Sequence, residues 1–167
     1  MSHVHHKQQA KAPVGAWVVT CSDTRTEATD ESGRLVRELL DKDGHTLTGY
    51  SLVPDEPAVI RQALADAAAH DGTQVVLING GTGISPRDST YEVVAGMINK
   101  RIDGFGELFR YLSYKEIGSS AMMSRAVAGV AGRVVIVAMP GSRAAVRLAM
   151  EELVLPELRH MAWLLKP

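Results

Sequence analysis

Residues 74–98 read QVVLINGGTGISPRDSTYEVVAGMI, and the architecture of the chain can be worked out from them. The stretch begins with an apolar run at residues 74–78, which is typical of a buried β-strand. A glycine-rich turn follows, and apolar residues then recur at the spacing of one helix face, at Val93, Val94, Met97 and Ile98. A buried strand joined to a helix by a short turn indicates a parallel sheet with helices packed on its faces.

The same alternation of strand and helix precedes this stretch. A β-rich run at residues 16–21 comes before helical spacing at residues 35–40, and a second strand at residues 45–53 comes before a second helical face at residues 59–67. Strands and helices in this order are joined by right-handed crossovers. The predicted fold class is therefore α/β, with a mostly parallel central sheet.

The chain after residue 98 departs from this alternation. Residues 103–119 are less regular and predict one or two short helices, and residues 125–130 and 133–139 flank Ala131-Gly132 as the arms of a hairpin. The hairpin adds one antiparallel strand to the sheet. A last helix follows; Pro156 is expected to break it, and a short terminal helix is expected to end at Trp163 and Leu165.

Length and composition fit one ordinary globular domain. The 167 residues are 46% hydrophobic and 22% charged, with a net charge of −1. We expect a single domain over residues 14–167 after a disordered N-terminal tail at residues 1–13, which contains His3, His5 and His6. The charge argues against nucleic-acid binding, and the short apolar runs argue against a membrane span. A single cysteine suits a reducing compartment, so a cytoplasmic location is expected.

The loop after the strand of residues 74–78 carries the clearest chemical signal. Gly80, Gly81 and Gly83 lack Cβ atoms, so backbone N–H groups on both sides of Thr82 can converge on an anion such as phosphate. The loop lacks the GK[ST] ending of a Walker loop and the third glycine of a GxGxxG fingerprint. The alternative is a purely structural turn followed by a capping box at residues 89–92.

Two carboxylates follow strands at the edge where ligands bind in open parallel sheets. Asp55 precedes Pro57, and Asp88 precedes a helical face, so each can be explained singly as a helix N-cap. Together they place two acidic groups beside the glycine loop, as a magnesium ion shared with substrate phosphates requires. The combination suggests metal-assisted phosphoryl or nucleotidyl transfer.

Further residues in the strand-terminal loops have weaker signals. Ser142 follows Pro140-Gly141 and is either a helix cap or an anion ligand, whereas Ser22 and Asp23 read first as turn residues. Arg125 and Arg143 could bind phosphate, although arginines at such positions are more often surface residues. The single cysteine, Cys21, is interpreted as buried packing.

An aromatic cluster lies outside the repeating pattern. Four of the eight aromatic residues fall between residues 103 and 119, namely Phe105, Phe109, Tyr111 and Tyr114. Such a cluster is either a subunit contact or local packing beneath a long connection, and the sequence does not decide between them.

The motifs together resemble those of one family. GGTGISPRDST, LVPDE, SDTRT, MMSRAVAGV and MPGS are similar to motifs of the MoaB/Mog family of molybdenum cofactor biosynthesis proteins. The resemblance runs from about residue 17 to about residue 158, and it is strongest to the MoaB branch. It implies an α/β/α sandwich that binds molybdopterin and assembles as a trimer or a hexamer. It also implies adenylylation of molybdopterin by Mg-ATP, with release of pyrophosphate.

The resemblance also implies roles for individual residues. Asp55 and Asp88 would be the catalytic carboxylates and the Mg²⁺ ligands. The residues implied in binding ATP and molybdopterin are Ser22, Asp23, Gly80, Gly81, Thr82, Gly83, Ser124, Arg125, Pro140, Gly141 and Ser142. A molybdenum-insertion enzyme is the partner expected to receive the product.

Two other functions remain open from the sequence. A non-catalytic carrier or scaffold of the same pathway would bind molybdopterin without turning over ATP. A generic nucleotide-binding α/β protein would bind ATP without regard to molybdopterin. The presence of both Asp55 and Asp88 favours the active enzyme.

Overall fold

The computed structural model describes residues 12–166 as an α/β fold around one six-stranded sheet. Its strands are β1 (Gly15–Cys21), β2 (Thr46–Val53), β3 (Val75–Asn79), β4 (Lys100–Arg101), β5 (Val127–Ala131) and β6 (Val134–Met139). Its α-helices are α1 (Glu31–Lys42), α2 (Pro57–Ala69), α3 (Thr90–Met97), α4 (Asp103–Ile117), α5 (Arg143–Leu148) and α6 (Leu155–Leu164).

The strand order is β2-β1-β3-β6-β5-β4, and only β5 runs against the others. The predicted sheet, mostly parallel with one antiparallel strand from a hairpin, is therefore confirmed. The chain passes from β1 to β2 on one side and then crosses back to β3 on the other side of β1. Such a reversal opens a crevice at the carboxyl ends of the strands, where ligands bind in sheets of this kind.

Both faces of the sheet are buried, which makes the molecule three layers thick. Side chains of β3 alternate, since Val75 and Leu77 pack in one core and Val76 and Ile78 in the other. The first core contains α1, α4, α5 and α6, and the second contains α2 and α3. The α/β/α sandwich expected from the family resemblance is confirmed.

Helix α1 shows how the sequence sets an element in place. Its N-cap Asp30 is buried and accepts a hydrogen bond from the Gly33 N–H at 3.0 Å. The apolar face predicted from the spacing packs on the sheet, and Gly44, at φ +74°, ends the helical path in a conformation that glycine adopts readily. The helix therefore begins and ends close to where its sequence signals lie.

Several details differ from the sequence predictions. The hairpin turn consists of Gly132-Arg133, because Ala131 already pairs with Val134. Residues 103–117 form one continuous helix of 15 residues, α4, which is longer than the one or two short helices predicted. Strand β4 was not predicted, because two exposed residues carry no periodic signal.

Pro156 does not break the last helix. It lies in the first turn of α6, and the six preceding residues, Ala149–Val154, form a π-helical segment that continues from α5. The N–H of Leu155 donates to Met150 O, five residues earlier, so the backbone stays helical up to the proline. The π-helical segment thus leads directly into a helix whose second residue has no N–H to donate.

The predicted boundaries of the chain are only partly covered by the structure. Most of the predicted tail at residues 1–13, including His3, His5 and His6, lies outside the described residues, as does residue 167. The single domain over residues 14–167 stays a prediction. Within residues 12–166, no helix is both long enough and apolar enough to cross a membrane.

Buried His45 predicts a dependence of stability on pH. Its Nδ1 accepts the Val14 N–H at 3.1 Å, and burial together with the nearby Arg159 lowers the pKa of His45 below 6.5. Below about pH 6.5 the unfolded chain therefore binds a proton that the folded chain does not. We expect the free energy of unfolding to decrease as the pH falls from about 7.5 to about 5.5.

Urea unfolding of wild type and His45→Gln at both pH values measures this effect. All other residues are common to the two proteins, so the difference between their pH slopes reports on His45. Equal slopes for the two proteins would contradict the prediction.

Candidate functional site

The glycine loop, residues 80–83, leaves the end of β3 and lies at the carboxyl edge of the sheet. Gly80 has φ +99°, and a Cβ atom there would lie 2.1 Å from the Cys21 carbonyl oxygen. Gly81 has φ +64°, and its Cβ would lie 2.4 Å from Thr90 Oγ1. Both positions exclude a side chain by contact as well as by backbone conformation.

The loop presents unused backbone donors. Gly80 donates its N–H to Met139 O at 3.1 Å, while Gly81 O and Thr82 O accept from the N–H groups of Thr90 and Arg125. Among the hydrogen bonds within residues 12–166, none uses the N–H groups of Gly81, Thr82 or Gly83. Three successive free donors are the groups that bind a phosphate in backbone anion sites.

Asp55 lies against this loop and is nearly buried. Its Oδ1 accepts hydrogen bonds from the N–H and Oγ of Ser89, each at 3.2 Å. Both of its carboxylate oxygens lie 2.9 Å from the position that a Cβ on Gly81 would occupy. The interpretation of Asp55 as a helix cap is wrong, because Glu56 is the N-cap of α2.

Asp88 lies at the other end of the same loop. Its Oδ2 accepts the Ser85 N–H at 2.8 Å and lies 2.8 Å from the Cβ position of Gly83. It is not a helix cap either: Ser89 is the N-cap of α3, and the Ser89 side chain bonds Asp55 rather than closing the expected capping box. The two carboxylates therefore flank one glycine loop.

The carboxylates suit a divalent cation that is shared with phosphates. Within residues 12–166, no three His, Cys, Asp or Glu side chains gather in a set able to hold a metal ion alone. Mg²⁺ commonly takes one or two protein carboxylates and completes its coordination with phosphate and water oxygens. Asp55 and Asp88, beside free N–H donors, fit that pattern.

Arg125 binds the main chain of the glycine loop and of Asp88 through its guanidinium group. It precedes β5, and because β5 is antiparallel, the start of this strand lies at the carboxyl edge of its neighbours. Its Nε donates to Gly83 O at 2.8 Å, its Nη2 donates to Asp88 O at 3.2 Å, and its Nη1 pairs with Glu92. In this structure Arg125 supports the loop that carries Asp88.

The loop after β6 packs directly on the glycine loop. The Cβ position of Gly141 lies only 3.0 Å from the Cα atom of Gly80, so the residue between Pro140 and Ser142 must be small. Ser142 is the N-cap of α5, accepting the Ala145 N–H at 3.2 Å, which confirms its structural interpretation.

The residues after β1 are held by a local turn and by contacts with the loops after β2 and β3. Ser22 Oγ accepts the N–H groups of Thr24 and Arg25, as a turn residue does. Asp23 accepts the Asp55 N–H at 2.9 Å and pairs with Arg87. The Asp55 N–H and the Arg87 guanidinium hold the pKa of Asp23 below its usual range.

Three buried polar atoms around this edge have no hydrogen-bond partner in the described part of the chain. They are Asn79 Oδ1, Thr90 Oγ1 and Ser124 Oγ. Buried polar groups are almost always paired, so each of these atoms marks a position where a further group can bind. Ser124 was expected at the site, whereas Asn79 and Thr90 were not among the predicted binding residues.

Two arginines at this edge were also missed. Arg25 donates to Gly141 O at 2.9 Å, and Arg87 bridges Asp23 and Glu56. Both lie in loops that follow predicted strands, and this position is the feature of the sequence that could have identified them as site residues. Gly141 is 116 residues from Arg25, and Asp23 and Glu56 are 64 and 31 residues from Arg87, so sequence spacing could not indicate the contacts.

The environment of Cys21 predicts an unreactive thiol. Cys21 is 3% exposed, and burial raises its pKa to about 12. The reactive thiolate is therefore scarce at neutral pH. We expect a thiol-specific chromogenic reagent to titrate no thiol in the folded protein and one in denaturant; rapid reaction of the folded protein would contradict this.

The chain is similar to known proteins over nearly its whole length. A family model described as a probable molybdopterin binding domain matches residues 17–160. Molybdenum cofactor biosynthesis protein B of Bacillus anthracis is 54% identical over 164 residues, which are 98% of this chain and 97% of the relative.

Solved structures agree with this similarity. A crystal structure of a molybdenum cofactor biosynthesis protein B has a TM-score of 0.90 at 53% identity and covers 92% of this chain and 96% of that one. The tungsten cofactor synthesizing protein MoaB from Pyrococcus furiosus has a TM-score of 0.81 at 36% identity, with 89% and 94% covered.

Proposed function

Since the chain belongs to the MoaB/Mog family of molybdenum cofactor biosynthesis proteins and is most similar to its MoaB branch, we propose that it adenylylates molybdopterin with Mg-ATP. The terminal phosphate of molybdopterin attacks the α-phosphorus of ATP, the bond to the β-phosphate breaks, and pyrophosphate leaves. The observation that carries the proposal is the pair of carboxylates, Asp55 and Asp88, on either side of a glycine loop with free N–H donors.

The glycine loop supplies the phosphate contacts in this proposal. The N–H groups of Gly81, Thr82 and Gly83 donate to phosphate oxygens, and Gly80 allows the loop to approach β1 closely. Arg125 keeps the loop in shape through its bonds to Gly83 O and Asp88 O. Donors held in place before the substrate arrives need no rearrangement when charge develops in the transition state.

Asp55 and Asp88 would hold the magnesium ion of Mg-ATP. When bound, Mg²⁺ neutralises phosphate charge and polarises the phosphorus–oxygen bonds. The Ser89 bonds to Asp55 and the Ser85 bond to Asp88 fix the orientation of both carboxylates before the metal arrives.

The proposed reaction needs no covalent nucleophile from the protein. A phosphate monoester is already anionic, so positioning and charge neutralisation supply most of the acceleration. Cys21, the one thiol in the chain, is buried and protonated, which agrees with a direct attack by the substrate phosphate.

The pterin side of the site is assigned to the loops that surround the glycine loop. Ser22, Ser124 and the segment at residues 140–142 follow or precede strands at the same edge of the sheet. Ser124 Oγ is buried without a partner and is therefore the first candidate for a hydrogen bond to the ligand.

Product analysis tests the proposed activity. The purified protein is incubated with molybdopterin and Mg-ATP, and the adenylylated pterin is sought by mass spectrometry. Its formation supports the enzyme, and its absence with both substrates bound rejects it.

A carrier is the second candidate, and one observation favours it. Asp55 and Asp88 each already accept hydrogen bonds from within the chain, so they also have a structural use. Calorimetry separates the two functions. Binding of molybdopterin with no turnover of ATP identifies the carrier, whereas measurable turnover of ATP rules the carrier out.

We also propose a homo-oligomer, either a trimer or a hexamer. The aromatic cluster divides in two: Phe105 and Phe109 stack inside the core, while Tyr111 and Tyr114 are exposed. Other exposed apolar side chains continue this surface along α4 and the following turn, namely Leu108, Ile117, Met122 and Met123. Leu108, Tyr111, Tyr114 and Ile117 recur every third residue, so they lie along one side of α4. An exposed apolar helix face favours a subunit contact, and a monomer-sized particle in light scattering would contradict it.

A further inference from the structure

Three strand-terminal loops meet at the guanidinium of Arg87. Its Nη2 lies 3.0 Å from Oδ1 of Asp23, its Nε lies 3.1 Å from Oδ2, and its Nη1 lies 2.9 Å from Oε1 of Glu56. The contact with Asp23 is bidentate, the geometry in which arginine fixes a carboxylate most firmly. The loops after β1, β2 and β3 are thereby joined at one residue.

Asp23 connects Arg87 to Asp55, the proposed metal ligand. Its Oδ1 accepts the backbone N–H of Asp55 at 2.9 Å, in addition to the bond from Arg87. Both carboxylate oxygens of Asp23 are thus engaged within the protein. A chain of hydrogen bonds runs from Arg87 through Asp23 to the main chain of Asp55.

Asp55 is consequently held at two points. Asp23 fixes its backbone, and Ser89 fixes its side chain through Oδ1. These anchors come from different loops, so neither can replace the other. Residues that orient a metal ligand strongly affect metal affinity and activity.

We propose that Asp23 and Arg87 form a positioning pair that holds Asp55 in place for the Mg²⁺ of the nucleotide. This inference rests on the proposed function, and it gives Asp23 a different role from the substrate contact implied by the family resemblance. The side chains of Arg87 and Asp23 are 56% and 38% exposed, and exposed ion pairs contribute little to stability. The pair therefore affects the alignment of Asp55 more than it affects folding.

Kinetics and metal binding of Asp23→Ala, Arg87→Gln and Arg87→Lys test the pair. For the first two variants we expect kcat to fall roughly 10- to 100-fold with the KM for molybdopterin nearly unchanged, because Asp55 is misplaced while the pterin contacts remain. Titration with Mn²⁺ as the probe should show weaker binding in both. Arg87→Lys keeps one charged contact and should recover part of the lost activity.

Arg147→Gln is the matched control. Arg147 also forms an exposed ion pair, with Glu151 at 2.8 Å, on an element that carries no proposed site residue beyond its cap. Its removal should leave kcat, KM and Mn²⁺ affinity at wild-type values. The melting temperatures of all variants should stay close to that of wild type.

Two results would overturn the inference. A raised KM for molybdopterin with unchanged kcat would mean that Asp23 or Arg87 contacts the substrate directly, and wild-type values for every parameter would mean that the pair positions nothing. If wild type itself shows neither turnover nor Mn²⁺ binding, the proposed function fails. In that case the NMR chemical shift of the Asp55 backbone amide tests the hydrogen-bond chain independently of activity. A changed chemical shift in Arg87→Gln supports the chain, and an unchanged one rejects it.

Discussion

Asp55→Asn and Asp88→Asn should each lower the rate of molybdopterin adenylylation by about 10³-fold, an effect of the size seen when an electrostatic contact to a reacting group is lost. Asparagine keeps an oxygen that can accept the bonds from Ser89 or Ser85, so the local structure should persist. The change removes the negative charge that Mg²⁺ requires. Rapid-quench measurement of product under single-turnover conditions reports the chemical step.

Asp66→Asn provides the matched control for these variants. Asp66 is exposed on α2 and accepts one amide hydrogen bond, from Gln62 at 2.8 Å, so the same chemical change is made away from the glycine loop. We expect wild-type turnover from it. Turnover of Asp88→Asn or Asp55→Asn at the wild-type rate would show that their charge takes no part in the reaction.

Gly81→Ala should destabilise the fold by about 2 to 4 kcal/mol and reduce turnover by about 100-fold. The new Cβ would lie 2.4 Å from Thr90 Oγ1 and 2.9 Å from both oxygens of Asp55, so the loop or the carboxylate must move. Part of the cost comes from the backbone, because alanine is disfavoured at φ +64°.

Gly132→Ala separates these two causes. Gly132, in the turn between β5 and β6, has a similar φ of +61°, but a Cβ atom there meets nothing within 4 Å. Only the backbone cost, about 1 to 2 kcal/mol, is expected. Urea unfolding of both variants gives the difference, which measures the contact alone; equal destabilisation would contradict the packing of Gly81 against Asp55.

Local sequence patterns were sufficient to predict most of the fold. The apolar runs of β1, β3 and β6 and the helical spacing of α1 correspond to elements buried as expected. The shared edge of the loops followed from parallel strand order, and it correctly placed Asp55 and Asp88 beside the same glycine loop.

The remaining features depend on contacts between distant parts of the chain. Strand β4 exists because Lys100 and Arg101 pair with Val130 and Gly129 of β5. The bridge of Arg87 to Asp23 and Glu56 requires three loops in their final conformations. Capping rules assigned Asp55 and Asp88 to helix ends because those rules consider only neighbours in sequence.

The proposed transfer of an adenylyl group to molybdopterin is tested most directly by measuring pyrophosphate release from Mg-ATP by the wild-type protein, with and without molybdopterin. We expect stoichiometric or catalytic release that requires molybdopterin and is lost when Mg²⁺ is chelated. Binding of molybdopterin with no pyrophosphate release under the same conditions would contradict it.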